Sequence, residues 1–180
     1  KLAGSYTIAK TLKETRENPL VGAVVLRIES PGGSAMASDV IWREVQLTAK
    51  VKPVVVSMGA SAASGGYYIA SPATRIYANP LSITGSIGIF YGKADVAELL
   101  KKIGVSVETY KTAPRADAES IYRPFTEDEK KELEKKVGQF YDVFLTRVSQ
   151  GRKLDKKAVD KVGQGRVWTG EQALGHKLVD

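Results

Sequence analysis

The sequence predicts an α/β domain built on a mostly parallel sheet with flanking helices. Two apolar runs, residues 23–28 and 54–58, are typical of buried strands. Between them, residues 35–49 place apolar side chains at helical spacing. A strand, a helix and a second strand in this order form the unit of a parallel sheet, because the helix carries the chain back to the edge where the first strand began.

Two further strands are predicted in the middle of the chain. Residues 75–78 form a short apolar run, and residues 105–110 alternate in the manner of a strand. A helix around 96–103 is expected before the second of them.

The later part of the sequence is predicted to be helical. Thr126 opens a capping-box sequence, so a helix is expected from about 127 to 150, with Gly151 as its stop. This part is expected to pack on the sheet, so residues 1–180 are predicted to form a single domain. The remaining predicted elements are a short helix at 157–162, a strand-like pair at 167–168 and a last helical turn ending at Gly175.

The composition excludes several classes of function. The chain of 180 residues has no cysteine, which excludes disulfides, thiol catalysis and cysteine-based metal sites. Its formal net charge of +7 is interpreted as a solvated basic surface, because no nucleic-acid-binding motif accompanies it. No apolar stretch reaches the roughly 20 residues that a bilayer-spanning helix needs. The sequence that begins at Lys1 does not have the pattern of a signal peptide.

Residues 30–34, Ser-Pro-Gly-Gly-Ser, follow the first predicted strand and open a helix. Two glycines allow a sharp turn, and the start of a helix presents unpaired N–H groups. Such a turn could bind an anion or form an oxyanion hole. From these residues alone, a plain strand-to-helix turn is an equally good interpretation.

Residues 59–68 form a second turn of this kind, rich in Gly, Ala and Ser, between a strand and a helix. Ser64 stands at the start of that helix, as the nucleophile of a strand-turn-helix elbow does, but the Gly-x-Ser-x-Gly pattern is absent. Taken by itself, Ser64 is better explained as a helix N-cap, and Ser61 as a turn residue.

A third segment, residues 79–88, is rich in small hydroxylated residues. It lacks the glycine spacing of a dinucleotide loop and the Gly-Lys-Ser/Thr sequence of a P-loop. It is interpreted either as a long turn or as a loop whose hydroxyl groups orient a catalytic side chain.

A serine nucleophile needs a base, and the sequence offers no obvious one. The single histidine, His176, lies in a polar turn near the C-terminus, which makes a Ser-His-Asp triad a weak candidate. One helical turn after Ser64 stands Tyr67 rather than a lysine, so a Ser-x-x-Lys motif is also absent. A lysine base would therefore have to come from elsewhere.

Taken together, these segments resemble the signal peptide peptidase (SppA, protease IV) family. Residues 30–34, 63–67 and 84–88 resemble its three signature segments in order and separation, and 164–170 and 177–180 resemble its C-terminal pattern. The resemblance implies a ClpP/crotonase-like α/β fold with a mostly parallel sheet, and a serine endopeptidase with a Ser–Lys dyad. It implies Ser64 as nucleophile, the N–H groups of Gly33 and Gly65 as oxyanion donors, and Ser86 as a hydroxyl that binds the catalytic lysine.

The segment that should carry the lysine departs from the family's half-length members. Ala116 stands at the position of the lysine, and Lys111 lies five positions early, which on a strand would change its face. An alanine here resembles the C-terminal half of the long tandem form, in which the N-terminal half supplies the lysine. An engineered Lys-to-Ala replacement in a half-length enzyme is the second interpretation. The family's opening strand would precede Lys1 and its tail would follow Asp180, so a core fragment is expected.

The predicted function is cleavage of signal peptides or other apolar peptides at a membrane, with the base supplied by an N-terminal half or a neighbouring subunit. No metal or organic cofactor and no nucleic acid is expected. The resemblance also implies a homo-oligomer associated with the bacterial inner membrane through other segments, facing the periplasmic side, with the isolated chain inactive. The alternatives are a crotonase-like acyl-CoA enzyme, a non-catalytic peptide-binding or scaffold domain, and a subunit that serves only oligomerisation.

Overall fold

The computed structural model of the chain describes residues 3–180, which form seven helices and one five-stranded sheet. The elements in chain order are α1 (Ser5–Glu17), β1 (Val24–Ser30), α2 (Ala35–Ala49), β2 (Val54–Ala63), α3 (Gly65–Ala70), β3 (Arg75–Tyr77), β4 (Ile83–Gly85), α4 (Ala97–Lys102), α5 (Glu127–Arg152), α6 (Lys156–Val162), β5 (Val167–Thr169) and α7 (Gly170–Gly175).

Strand β2 lies at the centre of the sheet. β1 pairs with one edge of β2 along its length, while β3 and β4 pair with the first and second halves of its other edge, all in parallel. β5 joins the far side of β4 in the antiparallel direction. The α/β class with a mostly parallel sheet and flanking helices is therefore confirmed, in agreement with the ClpP/crotonase-like fold that the resemblance implies.

The core of this sheet unit lies between the sheet and the helices α2, α3 and the last part of α5. Strands β1 and β2 bury alternate side chains, as expected for strands with one covered face. The rings of Trp42, Tyr68 and Phe144 contact one another in sequence, with centroids 6.3 and 4.8 Å apart. The largest fully buried side chains include Trp42, Tyr67, Phe144, Met58, Ile76, Ile87, Leu178, Val45, Val54 and Val56.

The chain divides into two compact units, which are described separately. The sheet unit contains the residues up to Gly88 together with Tyr141–Asp180, and the second unit is Ile89–Phe140. Within the second unit Arg123 binds the carboxylates of Asp117 and Glu129 with both ends of its guanidinium group. That residues 1–180 act as one peptidase domain stays a prediction.

The predicted strand at 105–110 is wrong. These residues have no regular structure, and every one of them is exposed. The alternation of Val105 and Val107 with polar residues does not produce a strand where no neighbouring strand supplies hydrogen bonds.

Gly151 does not stop the long helix, because α5 continues to Arg152. A Cβ atom on Gly151 would lie 2.1 Å from the carbonyl oxygen of Ser71. The glycine is therefore required by the close approach of the chain at Ser71, rather than by a helix end.

No helix formed by residues 3–180 combines the length and the apolar character that crossing a bilayer requires.

Candidate active site

Three turns meet at one edge of the sheet, where the parallel strands β1, β2 and β4 end. Ser30 at the end of β1 pairs with Ala62, and Ala63 at the end of β2 pairs with Gly85 at the end of β4. The carboxyl ends of parallel strands are where α/β proteins place their ligands. The three Gly/Ser-rich segments of the sequence are thus brought together, as expected for loops that line one site.

Ser64 occupies a strained backbone corner between β2 and α3. Its φ of 50° and ψ of −118° lie in a region that non-glycine residues rarely adopt. Hydrogen bonds on both sides hold the corner, since its N–H donates to Gly85 (2.9 Å) and its carbonyl oxygen accepts from Tyr68 (2.8 Å). The Ser64 side chain makes no capping bond to α3. The interpretation of Ser64 as a plain N-cap is therefore wrong, and its geometry is that of an elbow that exposes a side chain.

The Ser64 hydroxyl is half-buried and has no hydrogen-bond partner among residues 3–180. Ser61, three residues earlier, lies inside strand β2 rather than in a turn, and its hydroxyl donates to the carbonyl oxygen of Ser30. The structure thus separates a structural serine from one whose hydroxyl is available for chemistry.

The Gly32–Gly33 turn lies directly against Ser64 and Gly65. A Cβ atom on Gly32 would lie 2.8 Å from the Ser64 Cβ and 3.2 Å from its Oγ. A Cβ atom on Gly65 would lie 3.2 Å from the backbone nitrogen of Gly33. Only glycine fits at this contact, and Gly32 also needs it for its φ of +119°.

Two backbone N–H groups beside Ser64 are unpaired. Within the part of the chain that the structure describes, neither the Gly33 nor the Gly65 N–H group donates to a protein acceptor. Gly65 is the first residue of α3, and Gly33 stands two residues before α2. Free N–H groups at helix starts stabilise negative charge, so this pair could bind the oxyanion that forms when the neighbouring hydroxyl attacks a carbonyl carbon.

Ser86 directly follows Gly85, the last residue of β4, whose carbonyl oxygen accepts the Ser64 N–H. Its φ is also positive, at 50°, and its N–H donates to the carbonyl oxygen of Arg166 (2.7 Å). Gly85, the residue before it, accepts the Ser64 N–H, so the two serines stand on adjoining strand ends. The other hydroxyl groups of this segment hold the sheet together, since Ser82 and Thr84 bond to carbonyl oxygens of β2, and the segment forms β4 rather than only a turn.

Two residues that support the site were missed by sequence reasoning. Ser38 donates to the carbonyl oxygen of Ser34 and fills the space beside Gly65, where its Oγ lies 2.5 Å from the position of an added Cβ. Glu29 accepts hydrogen bonds from the backbone N–H groups of Ala60 and Ser61, where β2 departs from regular pairing with β1. Glu29 is a carboxylate one residue before the end of a strand, and Ser38 is a serine in the first turn of a helix. Both features are common in proteins, so neither residue could be recognised from the sequence.

Among the described residues of the sheet unit, no basic side chain is hydrogen-bonded to Ser64. The His176 ring packs on Trp168, with centroids 4.3 Å apart, and no side chain of residues 3–180 bonds to the Ser64 Oγ. No group of three histidine or acidic side chains in the described residues is placed to bind a metal.

Ala116 and Lys111 both lie in the second unit. Ala116 is exposed and belongs to a turn in which its N–H donates to Ala113. The Lys111 ammonium group donates to Asp117 (2.8 Å) and to the carbonyl oxygen of Pro114. Hydrogen bonds from Arg123 and then Lys111 hold the pKa of Asp117 well below its usual range, so this carboxylate stays charged and keeps Lys111 paired.

Comparison with known proteins agrees with this geometry. The profile described as "Peptidase family S49" matches residues 46–180. Protease 4 of Haemophilus influenzae is 45% identical over 99% of this chain, which covers 29% of that protein, and the chloroplastic serine protease SPPA of Arabidopsis thaliana is 41% identical over 98%, covering 27%. A putative signal peptide peptidase SppA of Enterococcus faecium is 36% identical over 94% of the chain and is 49% covered. The chain thus spans half or less of the length of these relatives, and it belongs to peptidase family S49.

Proposed function

We propose that this chain is the serine-bearing part of a serine peptidase, with Ser64 as the nucleophile. One observation carries the proposal: a strained corner presents a hydroxyl group without a partner beside two unpaired N–H groups, those of Gly33 and Gly65. Strain of this kind persists where the surrounding structure enforces it, and it is concentrated at active sites. The relatives named as proteases support the same function.

The proposed reaction is acyl transfer through a covalent intermediate. The Ser64 Oγ attacks the scissile carbonyl carbon while a neutral lysine removes its proton, and the N–H groups of Gly33 and Gly65 bind the oxyanion. The C–N bond then breaks, the lysine returns its proton to the leaving amine, and water hydrolyses the acyl-enzyme. Removing one oxyanion donor typically costs about 10²–10³ in kcat.

The base is proposed to be a lysine from another half of the same protein or from a neighbouring subunit. Ala116 stands where the resemblance places the lysine of half-length members. The chain is also more similar to the longer relatives than to the shorter one. It is 41–45% identical to the two relatives of which it covers 27–29%, and 36% identical to the relative of which it covers 49%, which favours the long tandem form. Burial must lower the pKa of such a lysine, since at its usual value of about 10.4 it is protonated and cannot accept a proton. Ser86 is proposed to accept a hydrogen bond from this lysine and so orient it.

The proposed substrates are signal peptides and other extended apolar peptides, cleaved at the bacterial inner membrane on its periplasmic side. The printed name of the Enterococcus faecium relative, a putative signal peptide peptidase, supports this substrate class. A Cβ atom on Gly33 would meet no atom within 4 Å, so open space remains beside this glycine in which a peptide backbone can approach the site. We also propose that the protein forms a homo-oligomer and is anchored in the membrane through segments outside this chain.

A fluorophosphonate probe tests the proposal on the full-length native protein. We expect one adduct, located on Ser64 by peptide mass spectrometry, and loss of both labelling and peptide turnover in Ser64→Ala. Ser61→Ala is the matched control, because it removes a hydroxyl group from the same segment that is already bonded to Ser30. Turnover that survives in Ser64→Ala, or the absence of an adduct on Ser64, would refute the assignment. The 180-residue chain alone is expected to turn over little or no peptide, because it lacks the base.

A further inference from the structure

Tyr68 connects the two helices whose starts carry the unpaired N–H groups. It lies on α3, one turn after Ser64, and its hydroxyl donates to the Asp39 Oδ1 of helix α2 at 2.6 Å. Its ring contacts Trp42 of α2 on one side and Phe144 of α5 on the other. Tyr68 is 6% exposed, whereas the Asp39 side chain that it binds is 45% exposed, so the hydroxyl end of this connection lies at the border of the core.

Asp39 is itself fixed in place. The Arg147 Nε donates to the same Asp39 oxygen at 3.3 Å, and the Arg147 guanidinium group lies 3.9 Å from the centroid of the Trp42 ring. Burial, followed by the hydrogen bond to Asp39, raises the pKa of Tyr68 above its usual range. The tyrosine therefore stays protonated and acts only as a donor to Asp39.

The spacing of α2 and α3 determines how the two N–H groups converge. Gly33 precedes α2 and Gly65 begins α3, and the two turns pack so closely that a Cβ atom added to Gly65 would lie 3.2 Å from the Gly33 nitrogen. An oxyanion hole works when its donors are held within about 0.5 Å of the productive geometry. A hydrogen bond between the helices, three residues after Gly65 and six residues after Gly33, is well placed to hold the two segments together.

We propose that Tyr68, anchored on Asp39, is a positioning residue that keeps the Gly33 and Gly65 N–H groups converged on one oxyanion. This inference rests on the proposed function. Tyr68 would not contact the substrate; it would affect the reaction only by holding the two oxyanion donors in place. It separates the ring of Tyr68, which packs the core, from its hydroxyl, which sets the distance between the helices.

The test compares two Tyr-to-Phe variants of the full-length native protein. Tyr68→Phe keeps the ring between Trp42 and Phe144 and removes only the bond to Asp39. Tyr141→Phe is the control, because the Tyr141 hydroxyl also donates to an aspartate at 2.6 Å, Asp160, but joins α5 to α6; it accepts in addition from the Gln164 N–H. The readouts are the rate constant of fluorophosphonate labelling at Ser64, the melting temperature, and the 1H–15N signals of the glycine amides.

We expect Tyr68→Phe to slow labelling at least about tenfold relative to Tyr141→Phe, although Tyr141→Phe breaks one hydrogen bond more. The amide signals of Gly33 and Gly65 should shift or broaden in Tyr68→Phe and stay unchanged in Tyr141→Phe. Asp39→Ala should reproduce the loss of labelling, and adding Tyr68→Phe to it should change the labelling rate little, because both changes break the bond between Tyr68 and Asp39. Asp39→Ala also removes the contact with Arg147, so the comparison uses labelling rates rather than melting temperatures.

Equal labelling rates in Tyr68→Phe and Tyr141→Phe would overturn the inference. If the parent protein is not labelled at Ser64 at all, the proposed peptidase function fails, and the glycine amide signals decide the positioning role alone. Unchanged Gly33 and Gly65 signals in Tyr68→Phe would then overturn it.

Discussion

Replacing Gly32 by alanine is the sharpest perturbation that the site allows. The new Cβ atom would lie 2.8 Å from the Ser64 Cβ, 3.1 Å from the Gly65 nitrogen and 3.2 Å from the Ser64 Oγ. The single added methyl group therefore meets the proposed nucleophile and one of the proposed oxyanion donors at once.

The expected effect has two parts. A φ of +119° on a residue with a side chain costs about 1–3 kcal/mol, which corresponds to a fall in melting temperature of about 2–12 °C for a chain of this size. Carbon atoms pack at about 3.5–4.0 Å, so Ser64 must also move away by roughly 0.7 Å or more. A displacement of this size at a reacting group, together with a misaligned oxyanion donor, should reduce reactivity about 100-fold or more.

The assay measures the rate of fluorophosphonate labelling at Ser64 and the melting temperature of the full-length native protein. Gly22→Ala is the control, because an added Cβ there meets no atom within 4 Å and its φ is not positive. We expect Gly32→Ala to lose most of its labelling at temperatures where it remains folded, and Gly22→Ala to keep the parent rate. Parent-like labelling of Gly32→Ala would refute the reasoning that places the Gly32–Gly33 turn against Ser64.

Two further predictions concern stability. Gly138→Ala should raise the free energy of unfolding by up to about 1 kcal/mol, because alanine favours the helical backbone more than glycine does and its Cβ would point into open space in α5. Gly151→Ala in the same helix should lower the free energy of unfolding by more than 1 kcal/mol, because its Cβ would overlap the carbonyl oxygen of Ser71 at 2.1 Å. Equal shifts of the two variants in thermal denaturation would contradict the explanation for Gly151. Hydrogen bonds from Arg123 and then from a backbone N–H lower the pKa of Glu129 from 4.5 to about 2, so the stabilisation by this carboxylate is complete above about pH 4.5 and is lost as the pH falls toward 2. The protection factors of the amides at the start of α5, which allow for slower intrinsic exchange at low pH, should therefore fall over that range, and Glu129→Gln should remove this pH dependence.

The elements with strong local signals could be predicted from the sequence. The helix at 35–49 was predicted with the bounds that the structure shows, because an apolar stripe and the Gly-rich turn before it mark both its face and its start. The predicted strand at 105–110 failed for the complementary reason, since a strand depends on a partner that its own sequence does not contain. Strand β4 was missed because its sequence, Ile-Thr-Gly, has one apolar residue followed by turn-forming ones, and only its parallel pairing with β2 makes it a strand.

The candidate site could be predicted only as a set of turns. The order and separation of the three Gly/Ser-rich segments indicated the family, which the comparison confirmed. Whether Ser64 caps a helix or presents a free hydroxyl depends on one φ angle and one missing hydrogen bond, and neither is encoded in a local pattern. Tyr68 was visible in the sequence only as an aromatic residue near the turn, because its partner Asp39 lies 29 positions away.

The free groups at the end of β2 are the strongest argument that this corner is functional rather than architectural. The strained backbone of Ser64 costs about 1–3 kcal/mol, and a capping bond from its hydroxyl would offset part of that cost, yet no such bond forms. The N–H groups of Gly33 and Gly65 likewise remain without protein acceptors in the described residues. Gly65 is buried, and a turn whose only role was to connect a strand to a helix would satisfy its N–H group, because a buried polar group without a partner costs stability. The position of these groups beside Ser64 is explained if an acyl group is held there during a reaction, with the remaining proton acceptor brought by another part of the enzyme.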